Sequence, residues 1–348
     1  MSSASGTSHP LVELTAARLR EFAREPEAVF WVFVFPIVLA FALGIAFRTK
    51  ADDPVYAGVV EGEQAARLAE VLRGTPGITV RIVRESRTDL ALRDGEAQVI
   101  VIPGTPPTYK FDPTRPESRL ARLVVDNALQ RASGRTDRFS AREHRLNVIG
   151  ARYIDWLIPG LLGMNIMGTS MWGIGFSIVQ MRTRRVLRRL AATPMSRAHF
   201  LLAQVLARLM FLALEVGALL VFAWLMFGVP INGSWLTLAG VAVVGTLSFG
   251  GLSLLIASRP RTIESVSGWM NFAMLPMWIL SGVFFSSANF PKPMQPIIHA
   301  LPLTAVNDAL RAVMLDGAPA ASLAHEWMVM AGWGGLCFVV ALKIFRWK

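Results

Sequence analysis

Long apolar runs alternate with polar segments along most of the chain. Six of these runs are nearly free of charge, and each is about the length, roughly 20 residues, that an α-helix needs to cross a bilayer. They cover residues 29–47, 156–179, 209–227, 235–257, 266–285 and 327–342, of which the last is the shortest. The pattern predicts six transmembrane helices, called spans one to six below, and an all-α, multi-pass membrane protein.

Residues 48–153, between spans one and two, follow a different pattern. Short runs rich in valine and isoleucine predict β-strands at 55–60, 78–83 and 97–102, and residues 108–111 fit a fourth. Helical patterns occupy 63–73, 86–94 and 116–132. We therefore expect an α/β domain inserted between spans one and two.

The remaining segments complete the predicted organisation. Residues 1–9 are rich in serine and are predicted to be disordered, and 10–27 fit an amphipathic connecting helix on the inner membrane surface. Span one is placed within 28–47, and spans two to six lie within 154–348. The proline-rich segment 286–324 is expected to form short helices at the outer surface. Because mostly polar residues precede span one, no cleavable signal peptide is expected.

Charge sets the expected orientation of the spans. The composition is 53% hydrophobic and 17% charged, with a net charge of +11. Of the 35 Lys and Arg residues, 18 lie in residues 48–153 beside 14 acids, and most of the others flank spans. This distribution argues against nucleic acid as a partner. Short basic loops stay in the cytoplasm, so loops 182–197 and 259–261 and the C-terminal tail are predicted to be cytoplasmic. Both termini then lie inside and residues 48–153 outside a bacterial cytoplasmic membrane.

Sequence motifs for catalysis and metal binding are missing. The chain contains no G-x-x-x-x-G-K-[ST] phosphate loop, no H-E-x-x-H, no G-x-S-x-G and no C-x-x-C. Its five histidines are scattered, so no metal site is expected. The single cysteine, Cys337, lies in span six and is interpreted as a small core residue. We therefore expect neither an enzyme nor a cofactor on this chain.

Glu215 is the exception to the charge-free spans. An ionisable residue inside a span is a functional candidate. Arg208 precedes it by seven residues, roughly 10 Å along one helix, which we interpret as too far for a direct pair. Glu215 is instead expected to be protonated or bonded to a polar group on a neighbouring span. Its role stays open between holding helices together and acting directly in transport.

The stretch RTRRVLRRLAATPMSR at 182–197 holds six arginines and no acid. Val186, Leu187 and Leu190 form an apolar ridge among the arginines, and Thr193-Pro194 ends the helix, because a residue before proline avoids the α region. Such a ridge fits a groove on a partner protein. The simpler interpretation is a basic anchor that only fixes topology, and the two roles are compatible.

This basic loop resembles the first cytoplasmic loop of permeases of the ATP-binding-cassette type 2 exporter family. Three other stretches are similar to the same family: LREFAREPEAVFWVFVFPIVLAFALGIAF at 19–47, FDPTRPESRLARLVVDNALQ at 111–130, and SRPRTIESVSGWMNFAMLPMWILSGVFFSS through LPLTAVNDALRA at 258–312. Many members carry acidic or Gly-Thr residues early in the loop where this chain has Arg184 and Arg185, so the docking mode is expected to differ in detail.

The resemblance implies a permease subunit that exports an amphiphilic molecule such as a drug, lipid or glycolipid. ATP and Mg²⁺ would bind on two separate ATPase subunits, and the permease would pair with an identical or related permease among the membrane lipids. Loop 181–199 would couple to the ATPase through Arg185, Leu187, Leu190, Thr193, Pro194 and Arg197. Spans two and five would line the substrate path with Asn165, Met167, Trp172, Asn271, Met274 and Trp278, since methionine adapts to varied apolar ligands.

Two other classes of function fit the same residues. One is a channel or scaffold that works without ATP. The other is a sensor whose outer α/β domain binds a ligand and signals inward. Co-purification with an ATPase would favour the exporter over both.

Overall fold

The computed structural model describes residues 20, 24–47, 54–136, 139, 150, 152–183, 197–260 and 262–344, and for 197–207 only the backbone. The chain divides into two compact units, one formed by residues 1–48 with 147–348 and the other by residues 49–146. Residues 1–9 and most of the predicted connecting helix 10–27 lie outside the described residues. The two units are described separately below.

A continuous helical run opens the described part of the larger unit. It consists of α1 (Pro26–Val29), a π-helical turn (Phe30–Val34) and α2 (Phe35–Ala46). The turn ends where Phe35 N–H donates to Phe30 O, one residue wider than an α-helical bond. Pro36, at the start of α2, has no N–H to donate to the turn before it. The wider turn therefore lies where proline already interrupts the ladder of hydrogen bonds.

The smaller unit contains a four-stranded sheet with helices on it. Its elements in chain order are β1 (Val55–Val60), α3 (Ala65–Arg73), β2 (Ile78–Val83), α4 (Thr88–Arg93), β3 (Val99–Ile102), β4 (Thr108–Phe111) and α5 (Pro116–Ala132). The strand order is β2-β1-β3-β4; β1 pairs in parallel with β2 and β3, and β4 is antiparallel to β3. Helices α3 and α5 cover one apolar core, and residues of α4 join a second one.

The rest of the larger unit, where it is described, consists mainly of helices. Its elements are α6 (Tyr153–Met171), a second π-turn (Trp172–Phe176), α7 (Ser177–Thr183), α8 (Arg197–Phe227), α9 (Trp235–Ala257), α10 (Ile263–Leu280), α11 (Gln295–His299), α12 (Pro302–Met314) and α13 (Ala324–Ile344). Within the described residues, four helical segments are long and apolar enough to cross a membrane: 153–183, 208–227, 235–257 and 320–344. The run Phe30–Ala46 is shorter, and α10 is not among the four. A multi-pass membrane protein follows, and the count of six spans stays a prediction.

Close helix packing in the larger unit depends on small residues. A Cβ added at Gly251 of α9 would lie 2.5 Å from the backbone oxygen of Gly334 in α13. A Cβ at Gly163 of α6 would overlap the amide oxygen of Asn307 in α12. Glycine therefore lets α9 approach α13, and α6 approach α12, as small residues do in membrane helices. Helix α6 is buried along most of its length, which places it at the centre of this unit.

Candidate functional site

A buried polar network joins α6 and α8. Arg208 Nη1 lies 2.9 Å from Glu215 Oε1, and both residues belong to α8. Thr169 Oγ1 on α6 donates to Glu215 Oε2 at 2.9 Å, and Arg208 Nη2 donates to Thr169 Oγ1 at 2.5 Å and to Ser170 Oγ at 3.2 Å. These four residues are called the Arg208–Glu215 network below. The exposed fraction is 2% for the Glu215 side chain and 14% for that of Arg208, so the ion pair is largely dehydrated.

The prediction that Arg208 lies too far from Glu215 was wrong. Seven residues make nearly two turns, so both side chains lie on one face of α8, and their Cα atoms are about 10 Å apart along it. Side chains on a helix lean towards its N-terminus, which brings the Glu215 carboxylate down towards Arg208. The long arginine side chain spans the rest of the distance. The prediction that Glu215 bonds to a polar group on a neighbouring span is confirmed by Thr169.

The hydroxyl of Thr169 has more acceptors within reach than it has protons. The Thr169 hydroxyl has one proton, and both Asn165 O, at 2.8 Å, and Glu215 Oε2 lie within its reach. It can therefore satisfy one of these acceptors at a time while it accepts from Arg208. Among the described atoms, Arg208 Nε is buried without a hydrogen-bond partner. Two guanidinium donors, the Nε–H and the second N–H of Nη1, thus have no partner among the described residues.

Asn165 extends the polar contacts from α6 to the first helical run. Its amide Nδ2 donates to Val32 O at 3.3 Å, within the π-turn Phe30–Val34. The second π-turn, Trp172–Phe176, begins two residues after Ser170. π-Turns often mark functional positions in helices. Both π-turns of the described residues therefore adjoin the polar contacts of α6.

The other predicted path residues do not share one surface. Met167 and Met274 are buried inside the chain at 0% and 2% exposure. A Cβ added at Gly168 would lie 3.8 Å from the methyl carbon of Met274, so α6 and α10 are neighbours at this point. Trp172 and Trp278 are half-buried, whereas Asn271 is exposed on α10. Asn165 is buried and Asn271 is not, although their sequence surroundings look alike.

Most of the predicted coupling residues lie outside the described residues. Arg185, Leu187, Leu190, Thr193 and Pro194 fall in the gap at 184–196, and Arg197 is the first residue of α8. Arg182, at the beginning of the basic stretch, is described. Its Nη1 donates to Ala257 O at 3.3 Å and to Pro260 O at 3.0 Å. The end of α7 is thereby attached to the end of α9. This contact was not predicted from the sequence, although the two basic loops were both predicted on the cytoplasmic side, where they could meet.

A second buried polar contact, also missed from the sequence, fixes α12 against α6. The Arg311 guanidinium carbon lies 3.6 Å from the centre of the Trp156 ring, and its Nη2 donates to Gly282 O. Asn307 Nδ2 donates to Ser281 O at 2.8 Å. A cation over an indole ring is a favourable contact, and burial strengthens it. The short helix after span five is thus attached both to α6 and to the end of α10.

The comparisons with known proteins agree with this membrane architecture. The family model described as ABC-2 type transporter matches residues 122–315, which is more than half of the chain. The matched range ends just after α12, so it contains the Arg208–Glu215 network and the contacts of Arg182 and Arg311. No curated protein matches the chain by sequence.

Proposed function

Because the chain belongs to the ABC-2 type transporter family, as the membrane component of a transporter, we propose that it is the permease subunit of an exporter. In this proposal two ATPase subunits bind ATP and Mg²⁺ in the cytoplasm of a bacterial cell. A second permease, identical or related, completes the transmembrane assembly. The cargo is an amphiphilic molecule of the drug, lipid or glycolipid type.

The observation that carries this proposal is the exposed face of α10. Phe272, Leu275 and Ile279 on this helix have 51–71% of their surface exposed. Asn271 is exposed beside them. Apolar side chains can face lipid, but an amide in the hydrocarbon core needs a protein or water partner. A second permease packed against this face, around a wet cavity, would give Asn271 such a partner.

The opposite face of α10 holds the helix in its own subunit. Met270 and Met274 are buried there. Met270 lies close to the second π-turn, since a Cβ added at Gly175 would overlap the methyl carbon of Met270. The helix therefore has one face packed in its own subunit and another on which Asn271 lies among exposed apolar side chains. In the proposed assembly, Asn271 and the half-buried Trp278 would contact the cargo, and Met167 and Met274 would support them from inside.

The proposed link to the ATPases runs through residues 181–199. Arg182 attaches the start of this segment to the ends of α9 and of the following loop. A partner that moves the segment would therefore act on two membrane helices together. The apolar ridge of Leu187 and Leu190, predicted from the sequence, would be the surface that the ATPase binds.

The experiment is to co-purify the full chain with its partners, reconstitute the complex in vesicles and screen amphiphilic compounds for stimulated ATP hydrolysis. Asn271→Ala is expected to change which compounds stimulate hydrolysis, with basal hydrolysis retained. Leu225→Ala, an exposed apolar position on α8, serves as the control and should keep the parental profile. If no ATPase accompanies the chain, a channel, scaffold or sensor replaces the exporter.

A further inference from the structure

A groove opens where the ends of three membrane helices meet. It lies between the end of α9, the beginning of α10 and the end of α13, and it has a volume of about 510 Å³. Its apolar walls are formed by Leu255, Ile256, Trp269 and Ile344, and its polar rim by Arg259 and Ser265. Trp269 is 58% exposed. Within the described part of the chain, a large indole surface is therefore exposed and three aliphatic side chains are only half-buried.

The polar rim carries excess positive charge. Arg259 is exposed and, among the described residues, makes no hydrogen bond or ion pair. Arg182 donates to the backbone oxygen of Pro260, the next residue. Two further charged residues precede lining residues in the sequence, Lys343 before Ile344 and Glu264 before Ser265, and both are exposed. The rim is thus suited to bind an anion, because no described residue occupies the donors of Arg259.

We infer that this groove binds an anionic phospholipid of the cytoplasmic leaflet, with its phosphate at Arg259 and its acyl chains along Trp269 and the aliphatic walls. Basic pockets between membrane helices on the cytoplasmic side recognise such headgroups. Tryptophan suits the boundary between headgroups and hydrocarbon because its ring is amphipathic. A free phosphate would satisfy Arg259 but leave the apolar walls exposed. The inference rests on the proposed function in one respect, the assignment of this end of the helices to the cytoplasmic side of the membrane.

A second copy of the chain fits the groove less well. Two copies related by a two-fold axis through the groove would bring Arg259 of each copy towards the other. Like charges facing each other at a dehydrated interface oppose association. The charge of the rim therefore favours a lipid over a second copy.

The test uses the full chain alone, reconstituted in phosphatidylcholine vesicles that contain increasing fractions of phosphatidylglycerol with brominated acyl chains. Bromine quenches nearby tryptophan fluorescence, and the contribution of Trp269 among the 10 tryptophans is the difference between the parent and Trp269→Phe. Brominated phosphatidylcholine gives the baseline for unselective contact. Arg81→Gln, at an exposed position on β2, is the matched control for Arg259→Gln.

We expect phosphatidylglycerol to quench Trp269 at about fivefold lower mole fraction than phosphatidylcholine, a factor that corresponds to one basic side chain at a membrane surface. Arg259→Gln should abolish this preference, and Arg81→Gln should keep it. The inference is overturned if Arg259→Gln keeps the preference, if neither lipid quenches Trp269, or if inorganic phosphate removes the preference. Because no ATPase is present, the outcome is independent of whether the chain exports a cargo.

Discussion

Replacing Arg208 by methionine removes the cation of the Arg208–Glu215 network and keeps an unbranched apolar side chain. Glu215 would then retain one hydrogen-bond partner among the described residues, the hydroxyl of Thr169, in a site where its side chain is 2% exposed. Removing one member of a buried ion pair costs about 3–5 kcal/mol, because the remaining charge is left without its partner. The single variant Arg208→Met is therefore expected to be strongly destabilised.

The double variant Arg208→Met with Glu215→Leu should behave differently. It removes both charges, and replacing a buried pair by apolar residues of similar volume is often neutral or stabilising by about 1–4 kcal/mol. The two substitutions should thus couple by several kcal/mol, which a double-mutant cycle measures. Ser177→Ala is the control, since among the described residues the Ser177 hydroxyl bonds to one acceptor, the backbone oxygen of Gly173 in the preceding π-turn.

The assay is thermal unfolding in detergent, followed by the amount of monodisperse protein that survives heating. At about 2 °C per kcal/mol for a chain of this size, Arg208→Met should lower Tm by about 6–10 °C, and the double variant should recover most of that loss. An unchanged Tm in Arg208→Met would refute the argument that the pair is dehydrated. An equal loss of Tm in the single and the double variant would refute the ion pair between Arg208 and Glu215.

The same variants decide between the two roles that remain open for Glu215. If the network only holds α6 to α8, the double variant should fold and support stimulated ATP hydrolysis in the reconstituted complex. If the charges act in transport, the double variant should fold with normal Tm and lose that stimulation. The stability measurement separates these outcomes, because only a folded variant reports on transport.

Three further predictions concern other parts of the chain. Leu187→Asp with Leu190→Asp should leave membrane insertion intact and abolish ATPase co-purification, since two buried carboxylates cost several kcal/mol; normal association would support the anchor interpretation. Gly163→Ala should lower the free energy of unfolding by about 1–3 kcal/mol through overpacking, because its Cβ would overlap the side-chain amide of Asn307 in α12. An unchanged Tm would contradict that packing. Burial and the hydrogen bond to Asp126 raise the pKa of Tyr109 to about 12. The stability that this bond contributes should therefore be complete below pH 10 and be lost between pH 10 and about 12. Tyr109→Phe should remove this loss of stability from a pH titration of unfolding, and the matching phenolate signal from an absorbance titration.

The strands show what local pattern predicts well. β1 and β2 occupy 55–60 and 78–83, as their short runs of valine and isoleucine indicate, and β4 occupies 108–111, the possible fourth strand. β3 begins at Val99, two residues later than predicted. The apolar runs likewise indicate the membrane helices, and the run at 235–257 coincides with α9. These features depend on residues near one another in the chain. Local composition and the length of the apolar runs are therefore sufficient to find them.

The polar contacts show what the pattern leaves out. The distance from Arg208 to Glu215 depends on how far two side chains reach along a helix, which residue spacing alone does not give. Asn165 and Asn271 have similar apolar neighbours in sequence, yet one bonds to Val32 O and the other is exposed. Which face of a uniformly apolar helix is buried depends on the neighbours it packs against. Sequence reasoning could name these residues but could not place their partners.

The arginine contacts together suggest how movement would pass through the membrane unit. The helical segment 153–183 spans about 46 Å at 1.5 Å per residue. Arg311 binds it near Trp156, Arg208 near its middle at Thr169, and Arg182 attaches its far end to α9. A partner that moves the basic loop after Arg182 would therefore pull on a helical segment that buried or half-buried arginines join to other helices at three points along its length. Because each contact joins the segment to another helix, such a force would act on α8, α9 and α12 as well, and the π-turn Trp172–Phe176 lies between the contacts of Arg208 and Arg182.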